Sequence, residues 1–99
     1  MQSFYAESFE REMGCTETEW LGWLPAAIGA NSYELNAQGA NVRIGSGLLA
    51  LRWHTGEPRV IALMRMPRLH VSFSFQGLDD AQRLLFMKRF DLYMQRGGG

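Results

Sequence analysis

The chain has 99 residues, ten acids balanced by ten lysines and arginines, and 46% apolar residues, among them three Trp, three Tyr, six Phe and six Met. That length makes one domain, able to bury roughly 65% of its unfolded surface without metals or disulfides; the composition excludes a disordered chain. A single cysteine excludes an internal disulfide, and MQSFYAESFERE lacks the basic start and apolar run of a signal peptide. The longest apolar stretch, 20–30, is half a membrane span, so a cytoplasmic protein without membrane contact is expected.

In chain order, Tyr5, Phe9 and Met13 recur at i, i+4 and i+8 and predict a helix over 3–13, stopped by Gly14. Thr16 and Glu19 form a capping-box pattern that starts a second helix. Pro25 marks the expected end of that helix, and Trp20, Leu21, Trp23 and Leu24 its buried side. From residue 33 the period falls to two. Val42 and Ile44 oppose Arg43, then Leu49, Leu51 and Trp53 oppose Arg52 and His54. Further on, Val60, Ala62 and Met64 oppose Ile61, Leu63 and Arg65, and Leu69, Val71, Phe73 and Phe75 oppose His70, Ser72 and Ser74. Short turns between these runs predict an antiparallel meander of four or five strands. Asp79 then caps a helix to Arg96, with Phe86, Met87, Phe90, Tyr93 and Met94 on its main stripe and Leu85 and Leu92 on the far side. The fold class is α+β: two N-terminal helices, the meander, and a long C-terminal helix packed on one sheet face. Residues 1–96 form the globular domain and 97–99 a flexible glycine tail.

Net neutrality hides a segregation. Residues 1–40 hold six acids and one base, whereas 41–77 hold five arginines and one acid, which can seat an acidic partner or an anion, or simply neutralise within the fold. Strand parity places Arg43, Arg52, His54, Arg65 and His70 on one polar face, with Ile61 and Leu63 among them. Apolar groups rimmed by arginine suit a protein partner, self-association or a small anionic ligand. Between sheet and last helix, Trp20, Trp23, Trp53, Phe73 and Phe90 either pack solidly or line a small-molecule cavity.

Catalytic patterns are lacking. Two histidines without a third ligand make no metal site, no motif calls for a cofactor, and Cys15 has acids around it that disfavour a thiolate. Nucleic acid is a poor fit, because the chain is neutral and its aromatics fall opposite the arginines. The ending Arg96-Gly97-Gly98-Gly99 resembles the free Gly-Gly tail of ubiquitin-like modifiers and small sulfur carriers, which implies a carrier role. In that family the tail follows a strand, whereas a helix precedes it here, so Gly97 is read as a left-handed helix cap. A non-enzymatic protein-interaction domain is the expectation that follows, working through the Arg- and His-bearing face or the outer side of the last helix.

Overall fold

The computed structural model describes residues 3–96; the glycine tail and its cap at Gly97 lie outside the described residues. Clean alternation builds the middle of the sheet. β4 (Gly47–Thr55) buries Leu49 and Leu51 and half-buries Trp53, and β7 (Leu69–Gln76) buries Leu69, Val71, Phe73 and Phe75. They pair antiparallel with Leu51 opposite Phe73 and His54 opposite His70, so one parity faces the core on both strands. β3 (Gly39–Ile44) joins the other side of β4 through Gly45-Ser46, and short β2 (Tyr33–Leu35) closes that edge. Gly45 has φ 58°, the left-handed backbone that a two-residue hairpin turn requires.

Two expectations about the strands are corrected. The stretch 3–13 is not a helix: it contains β1 (Ser8–Met13), the far edge strand, with Phe9 opposite Phe73 and Met13 opposite Leu69. A spacing of four is even, so Tyr5, Phe9 and Met13 share a face in an extended chain as well as in a helix. The sheet order is β1-β7-β4-β3-β2, and one helix, not two, precedes the central strands. The meander is also interrupted. β5 (Arg59–Ile61) and β6 (Met64–Met66) pair only with each other, as a separate two-stranded arm between β4 and β7.

α1 (Glu17–Ile28) starts at the expected capping box: the Glu19 N–H donates to Thr16 Oγ1 at 3.1 Å, and the Thr16 N–H donates to the Glu19 carboxylate at 2.9 Å. Pro25 lies inside this helix rather than at its end. Its missing N–H would have met the carbonyl of Leu21, whose side chain, expected inward, is 39% exposed; water can serve that carbonyl. α2 (Asp80–Arg96) is capped by Asp79, which accepts from the Gln82 N–H at 2.8 Å. Both helices cover the apolar sheet face. Trp20 of α1 meets Trp53 and Phe90 edge-on, with centroids 5.5 and 5.9 Å apart, and Phe90 of α2 stands edge-on to Phe73 at 5.5 Å.

Charged side chains fasten β1 and the segment before it to α2. Arg11 sits on the inner face of β1 and donates twice to Asp91, at 2.6 and 3.0 Å, while the Tyr5 hydroxyl donates to the same carboxylate at 2.5 Å. Burial and the neighbouring carboxylate hold the Tyr5 phenol above its ordinary pKa. Buried Arg83 donates to the backbone carbonyls of Tyr5 and Leu78 and pairs with Asp80. These bonds hold the N-terminal segment where no regular ladder does.

Candidate functional site

The outer face of the sheet carries polar rows fixed by register. Glu12, His70 and His54 form one row across β1, β7 and β4; Glu10, Ser72 and Arg52 form the next. The two imidazoles stack with centroids 5.1 Å apart, and His70 Nδ1 lies 3.9 Å from the Glu12 carboxylate. A Cβ on Gly56 would run into the His70 ring, so a glycine there lets the imidazole lie against the chain leaving β4. The rows border an open groove of about 550 Å³ lined by Glu10, Gln38, Arg52, His54, His70 and Ser72 among others. Arg52 is already engaged, donating to the Leu51 carbonyl at 2.8 Å and to Asn41 at 3.4 Å. With Glu10 and Glu12 beside the basic groups, the groove is of mixed sign rather than a cationic anion site.

Of the five residues expected on this face, Arg52, His54 and His70 come together, and Arg43 stands apart on β3 beside a smaller groove of about 310 Å³ with Glu34 and Asn41. Arg65 is not among them. It lies on β6 of the arm, because the chain from Arg59 to Met66 folds back on itself instead of joining the sheet.

The five residues expected to line the interior divide differently. Trp20, Phe73 and Phe90 are at most 1% exposed and occupy the space between sheet and helices with their own rings; Trp23 and Trp53 are half-buried at its margin. Trp53 Nε1 donates to Glu17 at 2.9 Å, which ties α1 to β4. Cys15 is fully buried, and desolvation together with Glu19 raises its thiol pKa, opposite to what a nucleophile needs.

The most exposed apolar surface is the arm. Val60, Ile61, Leu63, Met64 and Met66 are 61, 56, 100, 67 and 42% exposed. Arg59 pairs with Met66 and Ile61 with Met64, so these four share one side, above a groove of about 320 Å³ that includes Glu12, Met13, Pro67 and Arg68. Ala62, at the turn, has φ 54°, the one positive-φ non-glycine among the described residues. Alternation alone places this segment in the sheet; the two prolines bracketing it, Pro58 and Pro67, are the signal that separates it. On α2, Leu85 and Leu92 are 74 and 46% exposed, as their position on the far side predicts, and Leu85 borders an open groove of about 330 Å³ with Ile44 and Phe86.

These elements define a small α+β domain: a five-stranded antiparallel sheet, two helices on one face, and a projecting arm. No protein-family model, curated protein or solved structure matches the chain. Among the described residues no helix is long and apolar enough to cross a membrane, and no three His, Cys, Asp or Glu are grouped to hold a metal ion.

Proposed function

We propose that this chain is a non-enzymatic, cytoplasmic protein-interaction domain whose principal contact is the arm Arg59–Met66. The observation that carries this reading is the exposure of five large apolar side chains on a hairpin of two three-residue strands. A two-stranded hairpin alone in water is marginal at best, and a concentration of exposed apolar side chains of this kind marks interaction sites. The outer sheet face with Arg43, Arg52, His54 and His70, and the outer side of α2 with Leu85 and Leu92, serve as secondary surfaces. A photo-crosslinking amino acid placed at Leu63 in the producing cell tests the reading, with exposed Thr18 on α1 as the control position. Adducts to a polypeptide are expected from position 63 and not from 18. Their absence at 63 contradicts the proposal.

A further inference from the structure

Resting on that reading, we infer that the arm's partner is a second copy of this chain, whose β2 edge receives it: two copies exchange arms about a twofold axis, each arm adding to the other's sheet.

Charge selects the receptor. The segment from Glu57 to Arg68 carries Arg59, Arg65 and Arg68 against one acid. Arg68 is paired with Glu12 at 3.5 Å, whereas Arg59 and Arg65 have no ion pair among the described residues. Arm-to-arm packing of two copies would set these arginines against each other, and like charges in a contact are costly. An acidic receptor suits these arginines, and the β2 edge supplies one glutamate. Glu34 of β2 is exposed and likewise has no ion pair, though it shares its groove with Arg43, and next to it Leu35 is 59% exposed.

The backbone agrees. The Arg43 N–H donates to the Ser32 carbonyl and the Asn36 N–H to the Gly39 carbonyl, at 2.9 and 2.8 Å. Alternation of an antiparallel ladder then turns the backbone groups of Tyr33 and Leu35 away from β3, toward the open edge of the sheet. That edge offers three residues, the length of β5 or β6, and adding a strand to such an edge is a common docking mode. The opposite edge, β1, is the weaker receptor. Its Glu12 already contacts Arg68 and His70, its Glu10 is exposed without an ion pair but borders the groove beside Arg52, His54 and His70, and its apolar side chains point to the core.

Position permits reciprocity. Leu35 lies opposite Ala40, and Ala40 opposite Leu51. The turn after β2 is therefore level with Trp53, whose backbone N–H donates to the Gln38 carbonyl at 3.3 Å. The arm leaves β4 at Thr55, only two residues further on. β2 itself is level with Leu49–Leu51, the middle of β4, and its turn points to the end from which the arm leaves; a twofold axis beyond that end would bring each arm to its partner's edge. The exposed apolar side chains of the arm would supply part of the ~800 Å² per partner that a standard interface buries.

Light scattering on the size-exclusion eluate of the full chain, with sedimentation equilibrium over a concentration series, tests this. The wild type is expected to reach a dimer. Leu63→Asp, Glu34→Arg and Arg65→Glu are each expected to weaken it by about tenfold or more, and the double variant Glu34→Arg with Arg65→Glu to recover most of the loss. All these side chains are exposed, and far-UV circular dichroism checks that the variants fold. A wild type that stays monomeric throughout overturns the inference, as does a dimer indifferent to Glu34→Arg or a double variant without recovery. A monomer that nevertheless yields Leu63 crosslinks to a different protein overturns the second-copy partner while leaving the arm as the contact surface.

Discussion

Phe90→Ala is expected to cost about 4 kcal/mol of stability, in the upper part of the range for deleting a buried ring. Phe90 is fully buried and meets Trp20 and Phe73 edge-on and Phe86 stacked at 5.8 Å, so its removal leaves a void bounded by both helices and the sheet. For a domain of this size that is a fall in Tm on the order of 20 °C, and a large part of a total stability of about 5–15 kcal/mol. Urea unfolding followed by tryptophan fluorescence measures it, with an unchanged m-value expected. A cost below about 1.5 kcal/mol would mean that this space is loosely filled, as a ligand cavity would be, and would revive the small-molecule reading of Trp20, Trp53, Phe73 and Phe90.

Asp91→Ala comes next, at about 2–3 kcal/mol. The carboxylate takes both Arg11 hydrogen bonds and that of the Tyr5 hydroxyl, with side-chain exposures of 23% for Arg11 and 26% for Asp91. Removing it strands a half-buried guanidinium over the rings of Tyr5, Phe9 and Phe73, and breaking one partner of such a pair costs more than the pair itself contributes. Asp91→Asn, which keeps an acceptor for Tyr5, is expected to cost about half as much. The double variant Arg11→Met with Asp91→Leu should recover most of the loss, because neither charge then needs a partner. Denaturant titration of the wild type, Arg11→Met, Asp91→Leu and the double variant as a cycle checks this; an additive double variant would show that the two side chains are uncoupled.

Sequence legibility followed the length of each pattern. Leu49 to Trp53 and Leu69 to Phe75 alternate over long enough runs that only one face can be buried, and the side of the sheet on which Arg52, His54 and His70 project follows from them. The first strand was obscured by Arg11. A charge on the inner face breaks the apolar alternation of Phe9 and Met13, and its compensating partner, Asp91, is 80 residues away, where no local spacing records it. The arm was obscured by Ala62, which turns the chain with a positive φ that alanine rarely adopts; without a glycine there, Val60 to Arg65 reads as one strand. Pro25 misleads for another reason: it is exposed, and α1 continues past it to Ile28 although the bond to the Leu21 carbonyl is missing.

Amide hydrogen exchange across Arg59–Met66, read on the intact chain at high and at low concentration, tests the role of the arm most directly. Slow exchange in the arm when concentrated, becoming fast on dilution while β4 and β7 stay protected at both, is the predicted result. Equally fast exchange in the arm under both conditions would contradict the exchange of arms between two copies.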